Sequence, residues 1–219
     1  MAVWQLRFTI GERQGVIMAG YQIMGRPIAG SFFAECLLRE AGQDYEFVWI
    51  SNTHSKSAEF AAVNPLARVP VLVCPDGHQI IETLAILNHL IEAFPQLAPK
   101  TGEAARDVMW QQLSVMATSL YPALHRCHHT YYYAPEEMFD AVRDMAKKDA
   151  ERWWDYLESQ LDPYLGGDAP MAADFYLIML TRWAPDLDAV VASRPHLRAF
   201  VGAMEAHPTV SAVKAAHAK

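Results

Sequence analysis

The chain has 219 residues, 52% hydrophobic and 20% charged, enough to bury a substantial core in one large domain or two small ones. A net charge of −7 and a pI near 5.7 exclude the basic footprint of a nucleic-acid binder, and no apolar run reaches the ~18 residues that would suggest a bilayer span. Three cysteines without Cys-x-x-Cys spacing argue for a reducing compartment rather than a disulfide framework.

The N-terminal run Met1 to Ile10 is strand-like but is broken by the stretch Gly11 to Gly15. It shows no signal-peptide pattern, because Arg7, Glu12 and Arg13 interrupt its apolar residues, so a cytoplasmic protein is expected. Tyr21 to Met24 reads as the first strand and Gly25 to Gly30 as a loop. A helix is predicted from Ser31 to Ala41, with Phe32, Phe33, Cys36 and Leu37 on its apolar side and Gly42 closing it. Tyr45 to Ile50 is the second strand, and Ser51 to Ser55 a polar loop. A short helix, Ala58 to Val63, stops before Asn64-Pro65.

The stretch from Asn64 to Leu90 organises the rest. Val69 to Val73 is a short β-branched run, Pro75-Asp76-Gly77 supplies a turn, and His78 to Ile81 can return as a second strand, which together make a β-hairpin. From Glu82 the period becomes helical, with Leu84, Ile86, Leu87, Leu90 and Ile91 in phase, so Glu82 and Thr83 fall at a helix N-terminus. Pro70 opens the first strand of the hairpin, a position where proline is tolerated. A cis bond at Val69–Pro70 would leave the Val69 N–H and C=O facing outward. Beside a helix N-terminus, those groups suit a peptide-like ligand that carries a carboxylate.

Phe94 to Gly102, with two prolines and a glycine, reads as a linker. Everything beyond it is helical. One long helix is expected from Glu103 to about Thr130, bent at Pro122, and another from Pro135 to Leu161. A third runs from Met171 to Trp183, with shorter ones near 195–206 and 208–217. His125, Cys127, His128 and His129 form a dense local group, but Cys127 and His128 point away from the His125/His129 face, so no metal is expected there.

The ordered string Asn64-Pro65, Arg68-Val69-Pro70-Val71-Leu72, Asp76-Gly77 and Glu82-Thr83-x-Ala85-Ile86 resembles the end of the thioredoxin-like domain of glutathione S-transferases. The resemblance implies an α/β module followed by an all-α domain. Residues 18–94 would form a thioredoxin-like βαβαββα domain, 95–102 a linker and 103–219 a helical domain. Residues 1–17 would be an accessory extension or lie upstream of a native start at Met18. In the family, the residue before the cis-proline pairs with the cysteinyl backbone of glutathione, and the acidic–hydroxyl pair holds the γ-glutamyl end. Here those positions are Val69, Pro70, Glu82 and Thr83, with Arg68 in the same binding stretch. The implied activity is conjugation of glutathione to a small hydrophobic electrophile by a homodimer, without metal, nucleic acid or membrane. The alternatives are a glutathione-dependent isomerase or disulfide reductase, or a non-catalytic glutathione-binding protein.

Arg26 to Tyr45 looks most like bacterial beta-class members, whose loop carries Pro-Gly-Ala-Cys-Ser. Aligned without gaps, their cysteine falls on Gly30, the next serine on Ser31 and a preceding tyrosine near Gly25. A mixed disulfide with glutathione cannot form at a glycine. Ser31 is then the candidate to stabilise a thiolate at the helix start, or alternatively an N-cap of its own helix. Tyr21 is expected to be core. Tyr121 takes the place of a beta-class histidine and would donate a hydrogen bond to thiolate or substrate, or else pack as a plain aromatic. His125 is a second possible donor. Pro170 to Leu177 resembles the family's capping motif, with Asp174 kept and Met171 in place of the hydroxyl residue.

Overall fold

A computed structural model of the chain describes residues 20–27 and 29–218, so the extension read over 1–17 lies outside the described residues. The first half contains β1 (Tyr21–Gly25), α1 (Ser31–Glu40), β2 (Tyr45–Trp49), α2 (Ala58–Val63), β3 (Val71–Val73), β4 (Gln79–Ile81) and α3 (Thr83–Ala93). The sheet order is β2-β1-β3-β4. β1 and β2 run parallel, joined through α1, while β3 is antiparallel to both β1 and β4. Strand alternation assigns the two faces. Ile23 and Leu72 enter the main core with α1 and α3, while Met24, Val71 and Val73 meet Phe60 of α2 on the other face.

Helix α1 ends where its sequence predicts. Gly42 adopts φ +65, its N–H bonds to Arg39 O, and the Gln43 N–H reaches back to Leu38 O. That pair of bonds closes the carbonyl end of the helix in the left-handed turn glycine favours. Strand β3 starts two residues later than the β-branched run suggests, because Pro70 has no N–H to give to a ladder.

The second half holds α4 (Ala104–Val115), α5 (Tyr121–His128), α6 (Phe139–Glu158), α7 (Ala172–Thr181), α8 (Leu187–Ala192), α9 (Pro195–Ala206) and α10 (Pro208–His217). The irregularity expected at Pro122 falls just ahead of it, where Met116–Leu120 is a π-helical turn and the Tyr121 N–H bonds to Met116 O. Pro122 supplies no donor, so the widened turn takes up the break before α5 begins. The α6 region opens with a 3₁₀ turn over Glu136–Met138 rather than as one helix from Pro135. Helix α8 is absent from the periodicity reading, although Asp186 marks its start by accepting from the Ala189 N–H at 3.0 Å.

Helix α7 is buried along its whole length. Asp174 anchors its start, accepting from the Met171 N–H at 2.9 Å and from the Leu165 N–H at 2.8 Å. Across from it, α1 packs Phe33 edge-on to Tyr176 with 5.6 Å between ring centres, and the Arg182 guanidinium lies over Phe32. One hydrophobic core therefore runs through both halves. It holds the N-terminus of α3 opposite the π-helical turn, and a cleft opens between them.

Candidate functional site

The cleft has a volume of about 280 Å³. From the sheet half, Arg68, Val69, Pro70, Glu82 and Thr83 line it. Tyr121, Ala117, Thr118 and Tyr176 close it from the helical half. Six of the seven site residues expected from sequence thus converge on one space. The Val69–Pro70 peptide is cis.

Glu82 is the N-cap of α3 and holds φ 70, ψ 131, a backbone region that side chains other than glycine rarely adopt. Such a conformation costs on the order of 1–3 kcal/mol and persists only where the surroundings enforce it. It sets Glu82 at the cleft beside the electropositive end of α3.

Ser31 is the exception. It is fully buried, its Oγ–H donates to Arg26 O at 2.8 Å, and its oxygen accepts from the Arg26 N–H at 3.3 Å. It does not line the cleft, nor does it cap α1, whose N-cap is Gly30. The hydroxyl points under the end of β1, where a Cβ on Gly25 would stand 2.3 Å from Ser31 Cβ. The residue of this loop that lies against the cleft-lining residues is Gly30, where a Cβ would run into Pro70 and touch Thr83. Arg26 braces the same loop, donating from Nε to Ile50 O at 2.9 Å and from a terminal nitrogen to Ser55 Oγ at 3.1 Å.

Asn64 also lines the cleft, at a position to which the motif gives no separate role. Nearly fully buried, it donates from Nδ2 to Arg68 O at 2.6 Å and accepts from the Leu66 N–H at 3.0 Å. It thereby shapes the loop that delivers Arg68 and Val69 to the cleft. The available signal is chemical: an Asn-Pro pair directly after a helix invites an Asx turn. Ala117 and Thr118 reach the cleft from the π-helical turn, which no periodicity announces.

Tyr121 stacks on His125 with 5.9 Å between ring centres and also meets Trp183. Burial pushes its phenol up, with Arg68 opposing and Glu82 reinforcing the shift, so it remains a protonated donor at neutral pH. His125 is lowered to about 4, chiefly by burial and then by the neighbouring His129 and Arg68 charges, so its ring is neutral. His125 Nδ1 engages Tyr133 Oη at 2.8 Å, His129 Nδ1 engages Tyr131 Oη at 3.1 Å, and His128 Nε2–H donates to Trp183 O. Those histidines are tied into an aromatic rim. Tyr21 is in the core, as expected, with its hydroxyl 3.3 Å from His89 Nε2.

A thioredoxin-like sheet joined to a helical bundle, with a cleft at a cis-proline and a helix N-terminus, defines the fold of the glutathione transferases. The family model described as glutathione S-transferase, N-terminal domain, matches residues 34–99, and the one for the C-terminal domain matches residues 120–208. The chain belongs to the glutathione S-transferase family. It is 29% identical to an uncharacterised transferase-like protein of Escherichia coli K12, YncG, over 75% of this chain and 82% of that one. It is 27% identical to the glutathione S-transferase GstA of Escherichia coli O157:H7 over 84% of this chain and 92% of that one. The solved structure of a sphingomonad glutathione S-transferase complexed with glutathione superposes with a TM-score of 0.76 at 27% identity, covering 90% of this chain and 98% of that one. Among the described residues, no helix is long and apolar enough to cross a membrane.

Proposed function

We propose that this protein binds glutathione in the cleft and joins its sulfur to a small hydrophobic electrophile held against the helical half. The observation that carries the reading is the convergence of Val69, Pro70, Glu82 and Thr83 with Tyr121 on one space. The Val69 main chain would pair with the cysteinyl unit, and Glu82 would face the γ-glutamyl ammonium. The Thr83 hydroxyl and the first N–H groups of α3 would take the neighbouring carboxylate. Arg68 supplies a cation for the second carboxylate of the tripeptide.

The thiol would then lie toward Gly30, where the partial positive charge at the start of α1 favours the thiolate. The protonated Tyr121 hydroxyl donates a hydrogen bond to that sulfur or to the polarised electrophile. The sulfur lone pair forms the new S–C bond. With an aryl halide the halide departs with its bonding pair, and with an activated alkene the adjacent carbon takes a proton.

The same reading divides the chain into 18–94 and 103–219 joined by 95–102, with 1–17 as an extension. It includes a cytoplasmic homodimer, in which the sheet half of one subunit packs on the helical half of its partner. The three buried free cysteines accord with a reducing compartment.

Isothermal titration of glutathione into the full chain, followed by turnover of a generic aryl halide, tests the reading. The expected result is saturable binding with turnover, and Tyr121→Phe lowering kcat by roughly tenfold or more while the glutathione Kd is kept. Binding without turnover on aryl halides and activated alkenes would reduce the protein to a glutathione binder or a narrow isomerase. No binding at millimolar glutathione would overturn the site.

A further inference from the structure

At the far end of the same hairpin, away from the cleft, three side chains with metal-binding chemistry meet. Cys74 follows β3, His78 precedes β4, and His89 projects from α3 about 9 Å of helix beyond Thr83. One ligand atom from each lies within 4.8 Å of the other two. Cys74 Sγ is 3.4 Å from His89 Nε2. A tetrahedral zinc with bonds of about 2.3 Å to sulfur and about 2.0–2.1 Å to nitrogen has an S···N edge of about 3.6 Å, so this pair already stands near ligand spacing.

The surroundings also prepare the ligands. Asp76 Oδ1 lies 2.6 Å from His78 Nδ1. A carboxylate there holds the proton on Nδ1 and leaves the Nε2 lone pair for a cation, the usual support for a metal-bound histidine. The His78 ring stands edge-on to the His89 ring with 5.4 Å between centres. Cys74 is buried whereas the His78 side chain is half-exposed, so a cation could enter from solvent and keep one open position on that side.

We propose that Cys74, His78 and His89 form a three-ligand site for a zinc-class transition-metal ion, with Asp76 positioning His78. One thiolate and two imidazoles select borderline and soft cations over magnesium or calcium. The occupied site ties the hairpin turn to α3 and stabilises the sheet half. It stands independently of the glutathione reading, because none of its residues lines the cleft.

The test is titration of chelator-treated full-length protein with cobalt(II), followed by displacement with zinc. The expected result is one equivalent bound with a thiolate-to-cobalt charge-transfer band and tetrahedral visible bands, and a higher Tm in zinc. His78→Ala changes an exposed turn and leaves the fold intact, so it reports on the site itself. It should weaken binding by at least about tenfold, and Asp76→Asn by about 10–100-fold. Cys74→Ser should remove the charge-transfer band, while the double variant His125→Ala/His129→Ala should keep it. Absence of that band in the wild-type protein, or its survival in Cys74→Ser or at unchanged affinity in His78→Ala, would overturn the proposal.

Discussion

Gly30 at the start of α1 and Pro70 ahead of β3 approach so closely that a Cβ on residue 30 would stand 2.9 Å from Pro70 Cδ. The same Cβ would lie 3.5 Å from Thr83 Oγ1, so that side of Gly30 abuts two residues that line the candidate site. A pyrrolidine ring cannot rotate away. Gly30→Ala and Gly30→Cys are therefore expected to displace Pro70, cost about 1–3 kcal/mol as overpacking does, and weaken glutathione binding. Thermal melts and glutathione titration of both variants check this. Unchanged Tm and Kd would show that the backbone gives way at no cost.

Ser31 makes the complementary case. Its hydroxyl is committed to the Arg26 main chain, and Ser31→Ala would take the acceptor from the Arg26 N–H and leave the Arg26 carbonyl with the Ala29 N–H alone. The expected loss is about 1–2 kcal/mol of stability, with glutathione affinity and kcat both within about twofold. Denaturant unfolding and steady-state kinetics on one preparation separate the two effects. A large fall in kcat at unchanged stability would restore Ser31 as a thiol ligand.

That difference shows what a sequence can and cannot carry. Glu82 and Thr83 are legible because a helical period begins at Leu84 directly after a hairpin, and a helix start has one position whatever surrounds it. Arg68, Val69 and Pro70 follow from the same hairpin. Ser31 is also correctly placed at a helix start, yet the direction of its hydroxyl depends on the empty side of Gly25, a contact only the folded strand makes. Asn64 acts through backbone four residues away, a local turn whose chemistry is readable once the loop is known to matter. Cys74, His78 and His89 are different again. Spaced by four and eleven residues across a turn and a helix, they meet only when the hairpin packs on α3, whereas the sequence draws attention to the contiguous group from His125 to His129.

His125 should reveal itself by its titration. Burial holds its folded value at about 4, below the roughly 6.5 of an unfolded histidine. Between those values the unfolded chain takes up a proton that the folded chain refuses, so this group's contribution to stability falls as pH drops from about 6.5 to about 4. Above that window both states are neutral and the contribution is constant. Urea unfolding at pH 7 and pH 5 should show a smaller drop in His125→Gln than in the wild type. A His125 resonance, assigned by its loss in His125→Gln, that titrates near the ordinary histidine value would contradict the burial argument.

Glu82 combines strain and function in one residue. At φ 70, glycine relieves the backbone where alanine does not, so Glu82→Gly should be more stable than Glu82→Ala by about 1 kcal/mol. Both variants remove the carboxylate from the cleft, so both should lose glutathione affinity by a similar factor, about tenfold or more if Glu82 faces the γ-glutamyl ammonium. Stability and binding would then move independently across the pair: the glycine variant gains back the strain and none of the affinity. Chemical denaturation alongside glutathione titration reads both quantities. Equal stabilities would mean that the neighbouring loop, rather than the residue's own backbone, sets the cost. Retained affinity in either variant would remove Glu82 from the binding site and leave the ammonium to be held by main-chain carbonyls.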